Sequence, residues 1–507
     1  MPSSTFITFE QLQVPFPRFS DISPLQLSIL SGEQIAIIGS DEAEKNAFLE
    51  LLAGKIKPKS GLIRYSFAEA YMDKSVEDKA FKSVYDLVSF VRMHHHFRNK
   101  SNTQTFYYQQ RFNSDDAARV DTVIDYLAKI PCKTPNPFWT PDKALSILKL
   151  THLAQESLIK LSNGETRRLM LAAALVKNPK LLLLDRPLTG LDQGSRAGFN
   201  EILTEILNSG IQLIMQVARH EIPSCITHIL QIEQGRYRYF PKDTLPSELH
   251  PTVPPAGLTE NQHTELVELI RLQPERTSFD ALIRMNNVNI SYGEKKILDQ
   301  ICWTVLPREV WALHGHNGAG KSTLLSLING DHPQAYRNDL WLFGKKRGSG
   351  ESIWDIKRQI GYVSPEFHQF FPKNQTCMQV ILSGFFDTAG LFRQPSESQR
   401  AIGLRWLQLM GLEAHRTHRL ATLAPDQQRL CLLARALIKN PPLLILDEPV
   451  QGLSAFHRDF FKSIIDTVSE HSDTAIIYVS HYAEDLPACI NRVLHLREGK
   501  VISNTDD

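Results

Sequence analysis

Apolar residues in this chain gather into short unbroken runs. Val310 to His314 (Val-Trp-Ala-Leu-His) and Leu443 to Leu446 (Leu-Leu-Ile-Leu) have strand length and no polar alternation, which predicts strands buried inside a sheet. From Ser322 onward, Ser-Thr-Leu-Leu-Ser-Leu-Ile has the apolar density of a helix packed on that sheet. The pattern lapses between Pro241 and Asp280, where six prolines surround one helical candidate, Glu260 to Gln273, so this stretch reads as a linker.

Comparing the chain with itself changes the picture. Leu161–Asp192 aligns without a gap to Leu423–Ser454 at an offset of 262, with 16 of 32 positions identical. Ile35–Gly54 parallels Trp311–Gly330, and Val217–His220 parallels Val479–His481. The chain therefore contains one domain twice, at 1–240 and 281–507, joined by the proline-rich linker 241–280. Each copy runs from early strands through a loop and helix and a variable helical middle to a helix, an apolar strand and a strand ending near a histidine. An α/β fold follows.

At 507 residues the chain is too long for one core. A net charge of +1 removes any global basic field, so no nucleic-acid partner is expected. The six cysteines form no C-x-x-C pair and read as reduced thiols of a cytoplasmic protein. No secretory signal opens the chain, and no run approaches the roughly 20 apolar residues of a spanning helix; any membrane role is exercised from the surface. His94, His95 and His96 are adjacent and cannot converge from one face of a helix or strand, so they read as a solvated segment rather than a metal site.

The candidate chemistry centres on Gly315, His316, Asn317, Gly318, Ala319, Gly320, Lys321, Ser322 and Thr323, which fit G-x-x-x-x-G-K-[S/T] between the predicted strand and helix. That arrangement surrounds an anion with backbone N–H groups and a helix N-terminus. The glycines allow close approach, Lys321 can reach the β/γ phosphates of a triphosphate, and the Ser322 hydroxyl can hold Mg²⁺.

With these residues in order, both halves resemble ATP-binding cassette (ABC) ATPase domains. Leu443–Glu448 is similar to the family's Walker B strand, Tyr292 to its adenine-stacking aromatic, His481 to its switch histidine, and Leu161–Glu165 to its L-S-G-G-Q signature. The resemblance implies two tandem P-loop domains, each a mainly parallel sheet with an antiparallel β part and a helical subdomain. The stretches Gly330–Val363 and Ala483–Cys489 resemble the ModF-type molybdenum transport ATP-binding proteins, which implies a cytoplasmic ATPase, peripheral on the inner membrane face, serving an integral-membrane permease.

The family's domains pair head to tail, so each nucleotide is expected between one half's phosphate loop and the other's signature. One composite site keeps its chemistry: Asp447 with Ser322 for Mg²⁺, Glu448 and His481 for catalysis, and Ser162, Asn163, Gly164, Glu165 and Asp192 contributed in trans. The other, formed on Gly39, Glu44, Lys45, Asn46, Asp185, Arg186 and His220, is degenerate, with Glu44, Asn46 and Arg186 departing from the motif. Glu44 replaces a loop glycine, where a like charge within about 4 Å of phosphate costs on the order of 4 kcal/mol. Arg186 replaces the catalytic glutamate and cannot accept a proton. Glu44 and Arg186 are expected to pair across the vacant phosphate position. The partner signature, Leu423-Ala424-Pro425-Asp426-Gln427, has lost its serine and is expected to aim a carboxylate at the phosphates. At Ser364–Glu366, where the resemblance implies a glutamine that senses Mg²⁺, the chain has Ser-Pro-Glu. Besides transport, a tandem ABC ATPase acting on the ribosome or nucleic acid, or a regulatory ATPase, stays open at this point.

Overall fold

A computed structural model of the chain describes residues 4–15, 23–39, 41–77, 82–92, 121–134, 136–158, 161, 163–188, 193–245, 257–272, 279–293, 295–316 and 318–506. They form two compact units, one reaching Leu245 and one starting at Gly257. His94, His95 and His96 lie outside the described residues.

In unit 1, strands β1 (Thr5–Gln13), β2 (Leu25–Leu30) and β4 (Ser60–Tyr65) form an antiparallel sheet in the order β2-β1-β4. A six-stranded sheet has the order β5-β6-β7-β3-β8-β9, from β3 (Ile35–Ile38), β5 (Val88–Val91), β6 (Leu181–Asp185), β7 (Gln212–Gln216), β8 (His228–Glu233) and β9 (Arg236–Pro241). Only β9 runs antiparallel to its neighbour. Helices α1 (Glu42–Leu52), α2 (Asn163–Val176) and α3 (Gln193–Asn208) belong to this unit.

Unit 2 repeats the plan. Its antiparallel sheet, in the order β11-β10-β13-β14, uses β10 (Ile283–Tyr292), β11 (Lys295–Val305), β13 (Asp339–Leu342) and β14 (Lys345–Lys346). The six-stranded sheet runs β15-β16-β17-β12-β18-β19, from β12 (Val310–His314), β15 (Ile360–Val363), β16 (Leu443–Asp447), β17 (Ala475–Val479), β18 (Arg492–Arg497) and β19 (Lys500–Asp506), again with only the last strand antiparallel. Its helices include α4 (Glu260–Arg271), α5 (Lys321–Ile328), α6 (Pro365–Phe370), α7 (Cys377–Leu382), α8 (Glu397–Leu409), α9 (Pro425–Leu437) and α10 (Ala455–His471).

The unbroken apolar runs follow from burial on both faces. In β16, Leu443 and Ile445 enter the core under the antiparallel sheet, whereas Leu444 and Leu446 enter the core under the helices. In β6, Leu181 and Leu183 divide from Leu182 and Leu184 in the same way. Strand ends are thereby fixed from two sides, which suits them to carry reactive groups.

The helix inside the proline-rich stretch packs on unit 2. Thr259 caps α4 with a capping box, and Leu266, Leu269 and Ile270 join the core that contains Trp406 and Phe461. Arg405 of α8 grips Glu265 through two bonds of 2.6 and 2.9 Å and reaches Glu268 at 2.7 Å. Apolar burial should dominate this docking over the partly exposed ion pair. Leu266→Ala is expected to cost unit 2 about 2–4 kcal/mol in urea unfolding, against about 1 kcal/mol or less for Arg405→Ala; equal losses would reverse that ranking.

Candidate functional site

The loop after β12 is shaped by close backbone approaches. A Cβ at Gly315 would stand 2.5 Å from the Leu496 carbonyl of β18. At Gly320, φ is +107° and a Cβ would meet Leu298 at 2.8 Å, so only glycine fits the turn into α5. The Gly499 N–H, between β18 and β19, donates to the Ala319 carbonyl at 3.1 Å and ties the loop to the last hairpin. Lys321 is buried and folds back over the loop, its Nζ donating to the carbonyls of Gly315 (2.5 Å) and His316 (3.2 Å). His316, Gly318 and Ser322 are exposed at the loop mouth, and Thr323 follows on α5. Asn317 lies outside the described residues.

The C-terminal ends of the neighbouring strands β16 and β17 bring two acids and a histidine together. Asp447 pairs in register with Val479, and Glu448 leaves the strand at φ +44° with its N–H donating to the Val479 carbonyl at 3.0 Å. His481 Nε2 stands 3.1 Å from Glu448 Oε1, and Gln451 Nε2 donates to the other oxygen. Burial, then the neighbouring Glu448 and Glu366 carboxylates, push the Asp447 carboxyl up to about 8, against the opposing pull of Lys321 and Arg429. Glu366, from the altered Ser-Pro-Glu, thus adds a third carboxylate. Tyr292 keeps a 42% exposed ring at the end of β10, and its hydroxyl meets His332 Nε2 at 2.8 Å. Burial lowers His332 to about 4, so that histidine is neutral.

The signature helix of this unit corrects one expectation. Asp426 does not project outward: its Oδ2 lies 2.9 Å from His457 Nδ1 of α10 and accepts the Ser454 N–H at 3.3 Å. Burial alone would raise its carboxyl, but His457 and Ser454 hold it below the usual range. The carboxylate fastens α9 to α10 within its own unit.

In unit 1, α2 begins at Asn163, with Gly164 and Glu165 in its first turn. Ser162 and Asp192 lie outside the described residues. Arg186 leaves β6 at φ +46°, with its N–H on the Gln216 carbonyl at 3.0 Å, which repeats the backbone of Glu448. The expected Glu44–Arg186 pair is not formed. Glu44 is buried against the β8–β9 turn, accepting N–H groups from Gly235 (2.6 Å) and Gln234 (3.1 Å). Arg186 instead lies 3.3 Å from both Asp185 and Glu42. Lys45 donates to the Gly39 carbonyl at 2.8 Å, Asn46 follows on α1, and His220 falls in the short turn Arg219–Glu221. Two residues that sequence reasoning passed over, Glu42 and Gln216, meet here; the signal available was Glu42 at the position of Gly318.

The ABC transporter family profile matches residues 22–189 and 298–451. The chain is similar to an Escherichia coli protein described as ABC transporter ATP-binding protein ModF, with 34% identity over 94% of each chain. It is also similar to an uncharacterized ABC transporter ATP-binding protein of Schizosaccharomyces pombe, with 31% identity covering 98% of this chain and 99% of that protein. Among solved structures, a dimeric ATP-binding cassette bound to ADP and Pi matches 44% of this chain and 98% of its own, at 24% identity and a TM-score of 0.39.

The two loop glycines should differ on substitution. Gly320→Ala combines left-handed strain with a collision and is expected to cost about 2–3 kcal/mol and to weaken binding of a fluorescent ATP analogue. Gly318 (φ +87°) has open space around it, so Gly318→Ala should cost only about 1 kcal/mol, from strain alone. Thermal melting and analogue titration of both variants check this.

Proposed function

The chain belongs to the ABC transporter family as a tandem ATP-binding cassette ATPase, and on that premise we propose that it hydrolyses ATP at one composite site to energise molybdate uptake through a separate membrane permease. The observation that carries the single-site reading is the contrast between equivalent strand ends: Asp447, Glu448 and His481 gather near Lys321 in one unit, and Arg186 takes the glutamate's place in the other. The likeness to the ModF protein along nearly the whole chain supports the molybdate assignment. No helix among the described residues is long and apolar enough to cross a membrane, which fits a separate permease.

In this reading ATP lies over the Gly315–Thr323 loop, with Tyr292 against the adenine and Lys321 at the β/γ phosphates. Mg²⁺ suits the donors available, because the carboxylate crowding that raises Asp447 is relieved by a divalent cation, with the Ser322 hydroxyl as a second oxygen ligand. When bound, the ion neutralises phosphate charge. Glu448 accepts a hydrogen bond from the attacking water and draws on its proton, while His481 holds the carboxylate's direction and faces the γ-phosphate. The family resemblance assigns Ser162, Asn163, Gly164, Glu165 and Asp192 the role of the signature supplied in trans to the γ-phosphate, an assignment kept in this reading.

Glu448→Gln is expected to abolish hydrolysis while retaining ATP, with one nucleotide held per chain; two per chain would contradict the single site. Lys321→Ala should lose binding and turnover together, whereas Lys45→Ala should leave turnover within about threefold, a difference of less than 1 kcal/mol. For the cargo, deletion of the gene should lower molybdate uptake, with Glu448→Gln failing to restore it. Unchanged uptake, together with cosedimentation of the ATP-bound Glu448→Gln protein with ribosomes, would overturn the transport assignment.

A further inference from the structure

Three of the positions at which the phosphate site of unit 1 departs from that of unit 2 are brought together by the fold. Glu42 stands where unit 2 has Gly318, and Arg186 where it has Glu448. Gln216 stands where it has Val479, since Gln216 pairs with Asp185 as Val479 pairs with Asp447. The Glu42 carboxylate receives all of its new neighbours. Lys45 Nζ is 2.7 Å from Oε1, Arg186 Nη1 is 3.3 Å from Oε2, and Gln216 Nε2 donates to Oε2.

Burial makes this arrangement obligatory. Lys45, Arg186 and Gln216 are 4%, 8% and 0% exposed, and two cations so enclosed require anionic partners. Glu42 and Asp185 supply them, two acidic side chains facing two basic ones. The backbone has followed. Helix α1 begins at Glu42, three positions before the lysine that opens α5, and Asp41 caps it by accepting the Ala43 N–H at 2.7 Å. Residues that form an open loop in unit 2 are the first turn of a helix in unit 1, and its N-terminal charge is answered by Asp41, Glu42 and Glu44.

We propose that the Glu42 carboxylate is a built-in anion that takes the position of a nucleotide phosphate in unit 1, so that this half is closed by its own side chain and binds no nucleotide. Removing that carboxylate should then create a small site for a tetrahedral oxyanion, lined by Lys45, Arg186 and Gln216. The proposal extends the single-site reading above, but its readout is the local stability of α1 rather than turnover, so each can fail alone.

The test uses the full-length chain carrying Lys321→Ala, so that the loop of unit 2 does not answer to phosphate. Hydrogen exchange of the 42–52 segment is compared with and without Glu42→Ala, in inorganic phosphate and in sodium chloride of equal ionic strength. Glu42→Ala should lower protection of α1 by about a hundredfold or more, as expected on breaking a buried ion pair. Phosphate, and not chloride, should recover most of that loss while leaving the parent's α1 protection unchanged. No recovery by phosphate, or equal protection of the parent, overturns the proposal. Should Glu42→Ala fail to fold in both buffers, the isosteric Glu42→Gln is combined with Arg186→Gln in a double-mutant cycle. The double variant should then lose clearly less protection than the product of the two single losses; a purely multiplicative result overturns the built-in anion.

Discussion

A lysine enclosed at the start of a helix, beside the end of a buried strand, has to meet negative charge. That requirement governs both halves of this chain. In unit 2 position 318 is glycine and the loop carries no acidic residue, so the carboxylates near Asp447 come from the end of β16 and from α6. In unit 1 the answer comes from within the loop, at a distance of 2.7 Å. The same lysine thus leaves one loop suited to an incoming anion and the other already neutralised.

The scaffold that makes this possible is common to both units. The strand orders β5-β6-β7-β3-β8-β9 and β15-β16-β17-β12-β18-β19 are the same topology, and the left-handed residue after the apolar strand is kept at Arg186 and Glu448, with the same N–H bond to the neighbouring strand. Retaining that hinge while exchanging its side chain delivers opposite charges to equivalent places. Backbone geometry and chemistry have separated: the first is repeated, the second inverted. Asp426 follows the same logic, since a position that in unit 1 opens the signature helix has become an internal fastener between α9 and α10.

Much of the fold was legible in the sequence because two-faced burial writes itself as unbroken apolar runs, and because an ungapped repeat is independent of propensity. The loop from Gly315 to Thr323 was legible for a similar reason, since each residue type there answers a local backbone or phosphate requirement. The pairing inside unit 1 was not. Glu44 drew attention as a lost glycine with charge, yet its carboxylate turns to the Gln234 and Gly235 amides of a hairpin nearly 200 positions away. Which of two acids in one helical turn meets Arg186 depends on the side-chain directions of α1 against β6 and β7, and only the assembled sheet fixes those. Gln216 carried no signal at all, because a single glutamine ending an apolar strand looks like any strand terminus.

The cluster around Glu42 also constrains which substitutions unit 1 can accept. Restoring glycine at 42 alone strands two buried cations, and restoring glutamate at 186 alone sets three carboxylates, those of positions 42, 185 and 186, around one lysine. Each of these single substitutions is expected to give a less stable protein, so the cluster tolerates change only at several positions together. The asymmetry between the halves is thereby tied to the folding stability of unit 1, because the side chains that set it also neutralise its buried charges.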